Sequence, residues 1–315
     1  MADGPTSPEG ISQSAILRPK TPETLGQKIK AVFCGDSITR GEYSYNWFQH
    51  VRDIFKGKVD VFNEGYNSFT VDSYIKLKAE NVVNKYKDAT DIIISLGTND
   101  ANAQWRHPNN PKYNTQKFEE DYIKLIKYFK EKLPNAKIAI TTIPPLGEDF
   151  NHPVYPLGQL YNEVIKDIAK KENVELLPVF DMIQNEYKEY SNTELGSMTP
   201  EKFENDVIGV AKSEDFEKQN LKYTDIAPVL QQSYIPKEES KEIKQKFKHT
   251  MFGEVISMAK NIILHKKFGW DYEKIARSSG YKKKVDELHL NKSAKVFAAC
   301  ASWFIKKNHE SLQTS

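Results

Sequence analysis

At 315 residues, 39% of them hydrophobic and 11% aromatic, the chain is long enough for one large domain or two small ones and can bury a real core, while 28% charged residues fit a soluble protein. A net charge of only +2, with the two signs interspersed, gives no electrostatic case for nucleic acid, and no apolar run approaches the roughly 20 residues that span a bilayer. Cys34 and Cys300 are too few for a disulfide framework and sit in apolar segments, as buried thiols of a reducing compartment do.

Residues 1–28 are rich in Pro, Ser, Gly and Thr, lack periodicity and contain no apolar h-region, which predicts a disordered tail without a secretory signal and a cytoplasmic protein. From Lys30 the pattern changes. "KAVFC" (30–34) is a short apolar strand that stops abruptly at Gly35-Asp36-Ser37. "SYNWFQHVRDIF" (44–55) has helical spacing, "VDVFNEG" (59–65) is a second strand, and "VDSYIKLKAENVVNKY" (71–86) is again helical. "DIIISLGTND" (91–100) carries consecutive apolar residues that imply burial on both faces, as in a parallel sheet. An amphipathic helix at 118–134, a strand at 137–145, a helix at 157–173 and a strand at 174–182 follow. Strand and helix alternate throughout, which predicts right-handed βαβ crossovers and an α/β, doubly wound, mostly parallel five-stranded sheet with helices on both faces.

In such a sheet ligands sit beyond the carboxyl ends of the strands. Those ends carry "GDS", "NEG", "GTND" and "IPP", so the polar residues collect on one edge. Ser37 has two readings there: with Asp36 it caps the next helix, or it is a nucleophile at the rim of the sheet. Far along the chain "DELH" places Asp286 and His289 three residues apart before a final helix. A serine needs a base to become nucleophilic, histidine titrates in the right range, and a carboxylate fixes its tautomer. The alternative reading of Asp286 is a cap for the last helix. The attack leaves an oxyanion, which turn amides and the side chain of Asn99 suit. His50, His107, His152, His249 and His265 read as surface or loop residues, and no pair has the spacing of a metal-ligand set, so neither metal nor cofactor is expected. Trp105, Arg106 and His107 read as a loop bordering the pocket.

"GDSIT" (35–39), "GTND" (97–100) and "DELHLNKSA" (286–294), in this order, resemble the sequence blocks of the SGNH hydrolase superfamily, the GDSL esterases and lipases. The resemblance covers residues 29–181 and 285–306. It implies a flavodoxin-like SGNH hydrolase fold with Ser37 as nucleophile, His289 as general base and Asp286 as its partner. Ser37 N–H, Asn99 Nδ2 and a third amide would form the oxyanion hole. One block departs: where the family reads N-x-G-x-x-G, this chain has "NEGYNS", so Asn63 and Gly65 match but Ser68 stands in place of the last glycine. The Ser68 amide can still donate, with Gly65 kept as a turn former. The serine is not in a G-x-S-x-G elbow, which disfavours the α/β-hydrolase fold.

The organisation this implies is a tail at 1–28, a hydrolase domain formed by 29–182 and 285–307, an inserted helical, lid-like segment at 183–284, and a polar C-terminal tail at 308–315. Lysines in the insertion allow peripheral membrane contact, but a helix packed with its lysines in water is the preferred reading. The expected activity is metal-independent hydrolysis of a small ester, acetyl ester or lysolipid-like substrate through an acyl-serine. An acyltransferase using the same site and a catalytically weak binding or scaffold protein are the alternatives.

Overall fold

The computed structural model describes residues 28–147, 154–184, 261, 264–265, 269–278 and 289–312. Five parallel strands, β1 (Ile29–Gly35), β2 (Val59–Gly65), β3 (Asp91–Ser95), β4 (Lys137–Thr141) and β5 (Glu175–Leu177), lie in the order β2-β1-β3-β4-β5. The chain leaves β1 to one side for β2 and returns to the other for β3, so the topological switch point falls between β1 and β3.

The two faces are covered by separate apolar clusters. On one face α3 (Val71–Tyr74) continues through a π-helical stretch (Ile75–Ala79) into α4 (Glu80–Lys85), beside α6 (Thr115–Lys132) and α7 (Val154–Lys171). They bury Tyr74, Val82, Tyr122, Leu125, Phe129 and Ile165 against Val32, Ile92 and Ile94. On the other face α2 (Trp47–Ile54) and the final helix, α9 (Lys295–Asn308), pack Trp47, Val51, Phe297, Ala301 and Phe304 on Ala31, Phe33, Ile93 and Ala139. Alternate residues of β1 and β3 thus serve opposite clusters, and all five residues of β3 are buried. The Trp47 and Phe297 rings stack at 5.3 Å, and Trp47 Nε1 donates to the Ile38 carbonyl at 2.9 Å, which ties the last helix to the turn after β1.

Three expectations need correction. The strand expected over 174–182 ends at Leu177, and residues 179–184 are helical. Pro178 has no N–H for a further ladder bond, and its carbonyl instead accepts from Met182 N at 3.3 Å. The "GTND" block does not finish β3: Gly97, at φ +122, turns the chain so that Thr98–Arg106 forms a helix, α5, which carries Trp105 and Arg106 out of the expected loop.

The third concerns the C-terminus. Residues 308–312 are not a free polar tail, because α9 runs through Asn308 and Leu312 is buried. Asp91, fully buried at the start of β3, accepts from Asn308 Nδ2 at 3.0 Å and lies 2.6 Å from His309 Nε2. A buried carboxylate demands such partners, and besides the Thr90 hydroxyl, which donates at 2.7 Å, they come from residues 308 and 309.

Of the insertion, only 183–184, 261, 264–265 and 269–278 are among the described residues. There Leu264, Trp270, Tyr272, Ile275 and Ala276, partly on a short helix α8 (Tyr272–Ser278), form a small cluster against Tyr45. The remainder of 183–284, residues 1–27 of the tail expected over 1–28, and His152 and His249 lie outside the described residues. No helix among the described residues is long and apolar enough to cross a membrane.

If His309 is a structural partner of Asp91, His309→Ala strips the buried carboxylate of one hydrogen-bonding group and costs roughly 1–3 kcal/mol of stability. Urea unfolding measures this. A loss within a few tenths of a kcal/mol, as at an ordinary surface position, would show that the contact has no structural weight.

Candidate active site

The register brings three strand ends level: Gly35 of β1 pairs with Gly65 of β2 and with Ser95 of β3. Each strand therefore releases its polar turn at the same height, and the turns meet. They meet closely enough to require glycine. A Cβ on Gly35 would lie 2.2 Å from Thr39 Oγ1 and 2.8 Å from Ser95 O, and one on Gly65 would lie 2.6 Å from Arg40 N and 2.9 Å from Asp36 O. Asn63 reinforces the second approach, its Nδ2 donating to Thr39 O at 2.9 Å while its Oδ1 accepts from Gly65 N at 2.9 Å.

Asp36 ends the first turn by accepting from Ile38 N at 2.9 Å, which starts a single helical turn, α1 (Ser37–Arg40), closed by Gly41 at φ +72. The capping reading of "GDS" is met by Asp36, and the Ser37 hydroxyl is left to face elsewhere. It faces His289. Across 252 positions of chain, His289 Nε2 lies 2.8 Å from Ser37 Oγ, with Ser37 only 4% and His289 only 2% exposed. The histidine arrives on a short extended segment just before α9, where the Leu290 carbonyl accepts from Tyr45 N at 3.1 Å. The ring of Tyr43, fully buried, packs edge-on to the imidazole with centroids 5.4 Å apart. Asp286 lies outside the described residues.

Asn99 sits in the first turn of α5, and its side-chain NH₂ donates to Phe69 O at 3.1 Å. That bond fixes which amide atom is nitrogen and leaves Nδ2 its second hydrogen. Ser68, in the turn after β2, adopts φ +63, a conformation that suits glycine better than a residue with a side chain. His50 is half-buried on α2, His107 is an exposed cap of α5, and His265 Nδ1 lies 2.8 Å from Trp270 O. Among the described residues no group of three or more His, Cys, Asp or Glu has the arrangement of a metal site. Both cysteines are buried, and burial pushes the Cys34 thiol up to about 12 and the Cys300 thiol up to about 11, far from a reactive thiolate. Tyr43, and Asn67 whose Nδ2 donates to the Tyr43 hydroxyl at 2.8 Å, are site residues that sequence reasoning missed.

Two further carboxyls lie behind these groups. Burial pushes Asp36 up to about 6 and Asp100 up to about 7. In Asp36 the bond from Ile38 N and the proximity of His289 pull the other way; in Asp100 the bond from Val71 N does so, while Asp36 and Asp121 push it further up.

The chain belongs to the GDSL-like lipase/acylhydrolase family, whose model matches residues 33–195, just over half of its length. It is a hydrolase acting on ester bonds. No curated protein matches the sequence. The structure is similar to that of the acetyl xylan esterase AlAXEase, with 19% identity over 53% of this chain and 84% of that one and a TM-score of 0.45. It is similar also to Axe2, an acetylxylan esterase from Geobacillus stearothermophilus, with 20% identity over 56% and 84% of the two chains and a TM-score of 0.44.

The raised carboxyl groups set a pH dependence. A carboxyl whose folded-state value lies above its ordinary value of about 4 favours folding when protonated. Its contribution is complete below about pH 4 and is lost as the pH rises through about 6 for Asp36 and about 7 for Asp100. Asp100→Asn, which cannot ionise, should raise the melting temperature at pH 8 by more than at pH 5. Thermal unfolding at the two pH values tests this, and an equal or larger gain at pH 5 would contradict it.

Proposed function

We infer that the chain is a metal-independent serine carboxylic-ester hydrolase with Ser37 as nucleophile and His289 as general base, working through an acyl-serine on a small ester. The observation that carries this reading is the 2.8 Å contact between His289 Nε2 and Ser37 Oγ in a buried setting at the carboxyl ends of the strands. The neutral imidazole with its proton on Nδ1 accepts the serine hydrogen at Nε2, and the hydroxyl oxygen attacks the ester carbonyl as that proton leaves. Asp286, three positions upstream, is the partner proposed for Nδ1–H. It holds the tautomer and stabilises the imidazolium.

The negative charge that forms on the carbonyl oxygen is taken up by the Ser37 and Ser68 amides and by Asn99 Nδ2. Donors already held in place cost no reorganisation when the charge appears. The packing supports this grouping. Gly65 lies against Asp36 O and Arg40 N, so the turn bearing Ser68 rests on the turn bearing Ser37. The Asn99–Phe69 bond joins the third turn to the second. Collapse of the tetrahedral intermediate expels the alcohol with the proton from His289, leaving Ser37 acylated. A water deprotonated by His289 then attacks the acyl carbon, and the acid leaves as Ser37 recovers its hydrogen.

Ser37→Ala should abolish hydrolysis of p-nitrophenyl esters and labelling by a fluorophosphonate while leaving the melting temperature close to that of the parent. Asn99→Ala should lower kcat on the order of 10²–10³-fold, as loss of one oxyanion donor does. Full activity in Ser37→Ala would remove the scheme, and an unimpaired Asn99→Ala would remove that residue from it.

A further inference from the structure

Ser68 is held at φ +63, where a residue with a side chain is strained. Such a conformation persists only where the surroundings over-determine it. Here they do so from both flanks. On one side Asn67 Nδ2 donates to the Tyr43 hydroxyl at 2.8 Å and to Glu42 Oε2 at 3.2 Å. On the other, Phe69 O accepts from Asn99 Nδ2 at 3.1 Å, and the Asp100 carboxylate accepts from Val71 N, its two oxygens at 3.2 and 3.3 Å. The turn is thus fastened to the loop after α1, whose Tyr43 packs against His289, and to the first turn of α5.

We propose that Asp100 and Asn67 are positioning residues that clamp the strained Ser68 turn and so keep its amide aimed at the oxyanion. The inference rests on the serine-hydrolase reading given above. As positioning residues they act through the turn and not on the reacting atoms themselves. Released, Ser68 relaxes toward negative φ, and the peptide plane that carries its N–H rotates with it. Glycine at the same position has no such drive, because positive φ costs it nothing. Capping of α3 is a poorer account of Asp100. Thr70 already caps that helix through a reciprocal pair with Ser73, and Asp100 reaches Val71 from a different element.

The test is a double-mutant cycle with p-nitrophenyl acetate, reading kcat and KM separately, with thermal unfolding as a control for folding. Asp100→Ala should lower kcat by roughly 10- to 100-fold with little change in KM, since a misplaced oxyanion donor is missed in the transition state. Asp100→Asn, which keeps an acceptor for Val71 N–H, should recover most of that loss. Asn67→Ala should lower kcat in the same way and serves if Asp100→Ala does not fold. In a Ser68→Gly background the Asp100→Ala and Asn67→Ala losses should shrink several-fold, a coupling expected only of residues that act together. Losses that are additive with Ser68→Gly, or that follow the melting temperature alone, would overturn the clamp. Parent protein that neither turns over the ester nor labels at Ser37 with a fluorophosphonate would overturn the hydrolase reading and the clamp with it, whereas an active parent with additive variants overturns the clamp alone.

Discussion

Everything distinctive in the site depends on one long-range contact, the hydroxyl of Ser37 held 2.8 Å from the imidazole of His289 across 252 positions. Neither residue enforces it. The contact is the by-product of packing one apolar cluster on one face of the sheet, where α9 lies on α2 with Phe297 stacked on Trp47, and Trp47 in turn bonds the carbonyl of Ile38. The backbone bond from Tyr45 to Leu290 then sets the height of the histidine over the turn. Because both side chains are almost fully buried, the bond is made where water competes least, and the same burial makes misplacement costly.

The glycines state the complementary constraint. Three turns converge only because Gly35 and Gly65 present no Cβ where Thr39, Ser95, Asp36 and Arg40 approach within 3 Å. Ser68 is the exception that shows the rule. At a place where glycine would rest without strain, this chain carries a side chain at φ +63 and surrounds it with polar contacts to Tyr43, Glu42, Asn99 and Asp100 through its neighbours. Conformational strain is tolerated here because four flanking contacts oppose its release.

The sheet was legible because parallel strands announce themselves: Ile92, Ile93 and Ile94 in a row, all buried, need apolar neighbours on both faces, and only crossover helices provide them. The meeting of Ser37 with His289 was legible because the types and order of these residues are specific. What escaped has local reasons. The helix α5 begins with Thr-Asn-Asp, residues that favour caps and turns, so its existence follows from the turn at Gly97 and from packing on α7 rather than from propensity. The close of β5 turned on Pro178. The docking of His309 on Asp91 joins residues 218 apart, and no pattern around either residue signals it. Tyr43 and Asn67 have no motif at all, since their importance lies in a contact with a turn whose strain cannot be read from composition.

The insertion completes the argument, because it separates β5 from His289 by about a hundred residues and yet leaves the contact intact. Closing a longer loop is entropically cheap, about 0.6 kcal/mol for each doubling of length, so the detour alone threatens little. What matters is how its returning end is anchored. The Leu264, Trp270, Tyr272, Ile275 and Ala276 cluster packs on Tyr45, the residue whose backbone bonds Leu290, and Glu273 Oε1 accepts from Lys292 N at 3.0 Å. The stretch that carries His289 and Lys292 is therefore held on one side by α9 and on the other by the α8 cluster, through Tyr45 and Glu273. A long detour in the sequence is compatible with the 2.8 Å contact at the site because Leu290 and Lys292, beside the histidine, are fastened to Tyr45 and Glu273 of the same frame.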